Sequence, residues 1–250
     1  PTEIYTGTTS SAASDVYKRQ LIILLLLIIS IFFMRRRQQK LKEANLKQQL
    51  FLSQMNPHFI FNALGSIQNY LYKNKPELTA GYLARFSYLM RSILNNSSKK
   101  SICLSEEIEI LKNYIELEQM RLNNSFDYEI QYPDDMETDF IDIPPMMIQP
   151  FAENAIKHGL KEGKGDGRLT VMFKDKGEYL EVLITDNGVG IDASMKSKAP
   201  GHKSMALSIF NRRMQIYRKH SRKVPLPSIK DRSYAGLQGT EVELFLPVLN

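Results

Sequence analysis

Two groups of residues in this 250-residue chain have types and spacings that chemistry can use. The first is Asn56-Pro57-His58-Phe59-Ile60-Phe61-Asn62, in which a histidine stands between a helix-starting proline and large apolar residues. Proline lacks a backbone donor and fits the first turn of a helix, so Pro57 fixes the backbone just before His58. An imidazole presented there is a candidate nucleophile for covalent chemistry, and the helical period brings Asn62 onto its face one turn later. Standing alone, such a histidine is more commonly a half-buried core residue.

The second group lies in Pro150-Phe151-Ala152-Glu153-Asn154-Ala155-Ile156-Lys157-His158-Gly159. Glu153, Asn154, Lys157 and His158 fall on nearby helical positions among apolar neighbours, an arrangement that lines one edge of a pocket. Further along, a strand pattern ends in Asp186-Asn187-Gly188-Val189-Gly190-Ile191. An aspartate at a strand end followed by glycines lets the backbone approach a ligand while the carboxylate accepts a hydrogen bond. By itself this run also reads as an ordinary turn.

The elements that must position these residues follow from periodicity. Gln38 to Tyr72 reads as one long helix, broken by Asn74-Lys75-Pro76. A second amphipathic helix places Leu83, Phe86, Met90 and Ile93 on one face and ends in Asn95-Asn96-Ser97-Ser98. Such a hairpin buries little alone, and pairing with a second copy completes a four-helix bundle. Ser105 is placed to cap a third helix, with Glu106 and Glu107 in its first turn, that runs to about Leu122. From Phe126 the period becomes two, and Phe126–Tyr132, Arg168–Lys174, Tyr179–Asp186 and Thr240–Leu246 read as strands. Helices are expected over about Met146–Gly159 and Ser204–His220. The change from all-helical to mixed patterning puts a domain boundary near residue 125.

Composition narrows the class. The single cysteine, Cys103, excludes an intramolecular disulfide and any multi-cysteine metal site. The net charge of +6 is concentrated in residues 1–50, at +5, and residues 212–232, at +7. Neither patch is interleaved with aromatics, and no helix-turn-helix or zinc-finger spacing occurs, so direct nucleic-acid binding is not expected. Arg212 to Arg232 reads as a solvated surface or a patch for phosphate, an acidic partner or the membrane. Leu21 to Met34 is apolar except for Ser30 and is followed by Arg35-Arg36-Arg37, the pattern of a membrane helix leaving on the cytoplasmic side. At 14 residues the run is shorter than the roughly 20 a span needs, so it is expected to be the C-terminal part of a transmembrane helix. Residues 1–20 match no natural flank and read as non-native or adapter-derived.

In this order, the second group and DNGVGI resemble the Bergerat ATP-binding fold of the GHKL proteins. Together with NPHFIFN, with Tyr114-Ile115-Glu116-Leu117-Glu118-Gln119-Met120-Arg121 and with the strand start Gly239-Thr240-Glu241-Val242, they resemble the LytS/YehU-type bacterial sensor histidine kinases from Gln54 to the C-terminus. The resemblance implies an α+β multidomain chain: 1–20 as above, 21–34 the end of a transmembrane helix, 35–125 a helical dimerisation and phosphoacceptor region, and 126–250 an α/β sandwich that binds ATP. It implies a homodimer in the inner (cytoplasmic) membrane, with residues from about 35 onward cytoplasmic. The kinase would phosphorylate itself from ATP and pass the phosphoryl group to a response regulator, of LytTR type by association.

By the same resemblance His58 is the phosphoacceptor and Asn154 holds Mg²⁺. Lys157 reaches the phosphates, His158 lines the nucleotide site, and Asp186 accepts a hydrogen bond from the adenine amino group. Gly188 and Gly190 open a lid over Asp192–Lys203, and Ser204, Leu207 and Thr240 complete the nucleotide site. Glu153 is the candidate base and Asn62 a candidate for dephosphorylating the partner. The family's Ser-x-Gly-Leu is here Ser204-Met205-Ala206-Leu207, and the extra methyl keeps open an alternative: a catalytically weak GHKL dimer acting as a scaffold or phosphatase.

Overall fold

The computed structural model describes residues 20, 24–38, 57–96, 99–160, 166–190, 205–217 and 224–249. The chain forms two compact units, Pro1–Ser53 and Gln54–Asn250. In the first, residues 24–38 are a helix, α1. Among the described residues no helix is long and apolar enough to cross a membrane. Of the single helix expected over Gln38–Tyr72, residues 39–56 lie outside the described residues, as does the expected lid.

In the second unit α2 (Pro57–Tyr72) and α3 (Pro76–Asn96) form the expected hairpin. Asn74 turns the chain between them with φ at 49°, a left-handed conformation that asparagine tolerates better than most residues. Phe59, Ala63 and Tyr70 of α2 are buried, and Tyr70 meets Tyr82 with ring centroids 6.0 Å apart. The buried face of α3 is set by Thr79, Tyr82, Leu89, Ile93 and Asn96. This differs by a partial turn from the stripe expected around Leu83, which is exposed, because Tyr82 rather than Leu83 fills the space against α2 and α4.

A two-residue strand, β1 (Ile102–Cys103), leads into α4 (Leu104–Arg121). Cys103 occupies the N-cap position without a side-chain cap, and Ser105 sits inside the first turn with its hydroxyl toward the Cys103 sulfur at 3.2 Å. The expected cap at Ser105 is therefore corrected: pairing of β1 with β3 (Asp142–Ile143) begins the helix earlier. Asn123 and Asn124, at φ 53° and 55°, end the run.

A five-stranded mixed sheet follows, built from β2 (Phe126–Gln131), β4 (Gly167–Asp175), β5 (Tyr179–Asp186), β6 (Ser228–Asp231) and β7 (Thr240–Pro247). Their order is β2-β4-β5-β7-β6, with only the β2–β4 pair parallel. Alternation puts Leu169, Val171 and Phe173, Leu180, Val182 and Ile184, and Val242, Leu244 and Leu246 on one buried face. The layer of helices joins them in a single apolar cluster through Phe151 and Ala152 of α5 (Gln149–Asn154) and Ala206, Phe210 and Met214 of α6 (Met205–Tyr217). The helix expected from Met146 begins at Gln149, because Met146 takes φ 55° after Pro144-Pro145. It continues as a π-helical segment, Ala155–Leu160, a variant that is rare and frequent at functional sites.

Leu89 is fully buried whereas Leu83 is 47% exposed. Leu89→Ala should therefore cost about 2–5 kcal/mol in urea unfolding, and Leu83→Ala less than about 1 kcal/mol. Equal losses would contradict this face assignment.

Candidate functional site

Along β5 the buried positions are Leu180, Val182, Ile184 and, in the same phase, Asp186. The period that builds the core thus carries a carboxylate into it at the strand end. Asp186 is 3% exposed, and burial pushes its carboxyl above the ordinary carboxylate range. Oδ1 accepts the backbone N–H groups of Gly188 at 2.9 Å and Thr240 at 3.3 Å, and these bonds, with the Thr240 side chain and the Arg232 charge, oppose that rise.

Three backbone segments close around this carboxylate, and glycine is needed in each. A Cβ on Gly159 would lie 2.7 Å from Asp186 Oδ1. One on Gly188 would lie 2.1 Å from the Gly159 carbonyl oxygen, and one on Gly239, where φ is 110°, 1.8 Å from the Asp186 carbonyl oxygen. Arg232 Nη1 donates to that same carbonyl at 3.1 Å. Asn187 points the other way: its Oδ1 accepts the Arg168 N–H at 2.6 Å and its Nδ2 donates to the Asp166 carbonyl at 2.7 Å, stitching the end of β5 to the start of β4. On that outer side Asp166, Arg168, Thr170, Thr185, Asn187 and Arg232 line an open depression of about 380 Å³.

The π-helical segment touches β4 and β5 and so brings α5 beside Asp186. Asn154 ends α5 half-buried, and Glu153 and Lys157 form an ion pair one turn apart. Glu153 N-terminal to Lys157 is the favourable order on a helix. Thr240 and Gly188 stand against Asp186 as described, and Gly190, at φ 78°, follows them. Leu207 is half-buried on α6, and the neighbouring Ala206 is 6% exposed within the apolar cluster, so its methyl is core material. His58 lies in the first turn of α2, and Asn62 follows one turn later with its carbonyl accepting the Ser66 hydroxyl at 3.0 Å. The side chains of His58 and His158, and all of Ser204, fall outside the described residues.

The hairpin meets the site's scaffold through Phe59, whose ring lies 5.3 Å from that of Tyr114 on α4. Tyr114 is fully buried, its hydroxyl has no hydrogen-bond partner among the described residues, and burial with the negative charges of Glu153 and Glu118 holds its phenol well above the usual range. Sequence reading passed over Asn187, Arg213 and Arg232. The two arginines fell in a run read as one basic patch, yet Arg213 is buried and Arg232 anchors the Asp186 backbone. Only Gly239, a glycine immediately before a strand pattern, carried a local signal.

Residues 46–126 match the family model for histidine kinases. The Sensor protein LytS of Staphylococcus epidermidis is 37% identical over 153 residues, covering 61% of this chain and 25% of that protein. The sensor histidine kinase YpdA of Escherichia coli is 29% identical over 217 residues, covering 83% of this chain and 36% of that protein. The chain thus spans about a quarter to a third of the curated relatives it matches. Among solved structures, the histidine kinase domain of the Erythrobacter litoralis EL346 blue-light activated histidine kinase aligns with a TM-score of 0.45 at 14% identity, covering 82% of this chain and 94% of that one.

Gly188→Ala forces a methyl into the Gly159 backbone, whereas Gly177→Ala meets open space and only an unfavourable φ of 77°. Gly188→Ala is expected to lower unfolding free energy by about 1–3 kcal/mol or more, and Gly177→Ala by about 1 kcal/mol. Chemical denaturation of both variants checks the order, and a Gly188→Ala protein as stable as the native one would contradict the close approach.

Proposed function

We propose that this chain is the kinase portion of a two-component sensor: it phosphorylates His58 from ATP and passes the phosphoryl group to an aspartate of a response regulator. The observation that carries the reading is Asp186, a desolvated carboxylate closely packed by three glycine backbones, in a chain whose residues 46–126 match the histidine kinases. A carboxylate held there suits an amine-bearing base, accepting a hydrogen bond from the amine. The fold is read as the Bergerat sandwich, with 35–125 as the dimerisation and phosphoacceptor region and 126–250 as the ATP-binding region.

The donor set fits a magnesium nucleotide. Among the described residues no three His, Cys, Asp or Glu side chains come together as a metal site, which suits an ion carried by phosphates and held by few protein groups. Asn154 would offer its amide oxygen to Mg²⁺, which neutralises phosphate charge during transfer. Lys157 would exchange its contact with Glu153 for phosphate oxygens, and Glu153 would act as base. A His58 ring nitrogen attacks the γ-phosphorus, the bond to the ADP oxygen breaks, and the imidazole proton leaves to the base. His158, Gly190, Ser204, Leu207 and Thr240 complete the nucleotide site in this reading.

Exposed Phe61, Leu64 and Leu71 of α2, with Leu83 and Leu94 of α3, give the hairpin an apolar outer face that supports a homodimer. Leu21–Met34 with the Arg triplet supports attachment to the cytoplasmic membrane, with residues from about 35 onward in the cytoplasm. The partner is proposed as a response regulator with a LytTR-type output. Ala206, the feature that favours the alternative of a weak scaffold or phosphatase, has its methyl buried in the core.

Incubation with γ-labelled ATP and Mg²⁺ should give acid-labile label on the native chain and none on His58→Ala; label surviving that substitution would overturn the assignment. Asn62→Ala is expected to keep autophosphorylation while slowing, by about tenfold or more, dephosphorylation of the phosphorylated regulator. Unchanged release of phosphate would remove Asn62 from that role.

A further inference from the structure

Glu107 is 1% exposed, although an acidic residue in the first turn of a helix normally faces water. Its carboxylate leaves α4 and reaches the chain just ahead of α5, where Oε2 accepts the Met146 N–H at 2.8 Å and the Met147 and Ile148 N–H groups lie near enough to favour its charged form. From the opposite side, buried Arg213 on α6 donates Nη2 to the Pro145 carbonyl at 2.7 Å and Nη1 to the Met146 carbonyl at 3.2 Å. Met146 is thus gripped at both its N–H and its C=O, and it holds φ 55°, a conformation costly for an unbranched L-residue without outside support. Ile148, the N-cap of α5, has no side-chain cap of its own. The chain entering that helix is held by a carboxylate supplied from another helix.

We infer that Glu107 is a positioning residue for nucleotide binding: with Arg213 it clamps Met146–Ile148 and so sets the placement of α5, the helix bearing Glu153 and Asn154. This rests on the reading of α5 as the nucleotide helix. The clamp joins three elements: α4, which packs on the histidine-bearing hairpin, the entry to α5, and α6, which follows the segment assigned to the lid.

The clamp is sensitive to protonation. Burial raises the Glu107 carboxyl from 4.5 to about 7, against the opposing pull of the three backbone N–H groups and of Arg213. Among the described residues Arg213 is the charged group facing it from α6, with Tyr217 beyond it. The stretch Pro144–Gln149 contributes only backbone and uncharged side chains, and on α4 the neighbouring Glu106 turns to Asn96 and Lys99. A protonated carboxyl becomes a donor at one oxygen and a weaker acceptor at the other, so its hold on the Met146 N–H and on the N–H groups beside it loosens. Because the folded carboxyl holds its proton more tightly than the unfolded one, this residue makes stability fall as pH rises from 4.5 to about 7. The clamp tightens over that same rise, so stability and positioning move in opposite directions.

Hydrogen exchange on the unliganded full chain, corrected for intrinsic rates, should show Met146–Ile148 losing protection by roughly tenfold between about pH 8 and about pH 6, while β5 keeps its own. In Glu107→Gln, a neutral isostere, those amides should be weakly protected at both pH values. MgATP should bind the native chain several-fold more weakly at the lower pH, while Glu107→Gln binds weakly with a flat profile once the titration of ATP itself is allowed for. Exchange at Met146–Ile148 that is the same in both proteins, or unmoved by pH in the native chain should Glu107→Gln not fold, would overturn the inference. Exchange that behaves as expected in a chain that binds no nucleotide would leave the clamp standing and sink the kinase reading instead.

Discussion

The fold turns on how closely three backbones approach one buried carboxylate. Gly159 from the π-helical segment, Gly188 from the turn after β5 and Gly239 from the approach to β7 all lie where a Cβ would overlap a neighbour. Hydrophobic burial supplies the driving force for the sheet and its helices, but it is non-directional and cannot hold segments at such short range. Directed bonds do that: Asp186 accepts from Gly188 and Thr240, and Arg232 holds the Asp186 carbonyl. The carboxylate gives up hydration and regains part of it as backbone donors, which leaves a group whose protonation and bonding a ligand can change.

Arginine has a similar structural use elsewhere in the unit. Among the described residues, Arg213 and Arg232 are the buried or half-buried cations of a segment that is basic in sequence, and both donate to backbone carbonyls. A guanidinium presents several donors in a fixed plane and satisfies two carbonyls at once, as Arg213 does at Pro145 and Met146. Glu107 answers it from α4 with acceptors for the adjoining N–H groups. A polar scaffold of this kind sits inside an apolar cluster only because nearly every lone pair and proton in it has a partner.

Much of this was legible beforehand where a regular period ran uninterrupted. Four strands, the hairpin and the third helix fell close to their expected places because alternation and amphipathicity are local properties. The failures share a cause. β6 carries one apolar residue, Ile229, and exists because β7 offers it an edge, with Ser228 bonded to Glu243. β1 and β3 are two residues each and have no period to read. Ser105 has the right chemistry for a cap, but pairing of Cys103 with Asp142 decided where α4 begins.

The sequence by itself determined which residues could do chemistry: a histidine after a proline, a polar helix face among apolar residues, and an aspartate before two glycines. Those depend on side-chain type and short-range geometry, which the chain carries with it. Tertiary structure decided what surrounds them. That Asp186 is desolvated, that Ala206 is core, and that Glu107 and Arg213 grip the entry to α5 all arise from contacts between residues far apart in the chain. No spacing encodes such contacts, because burial and pairing are settled only when the helices and the sheet close on one another.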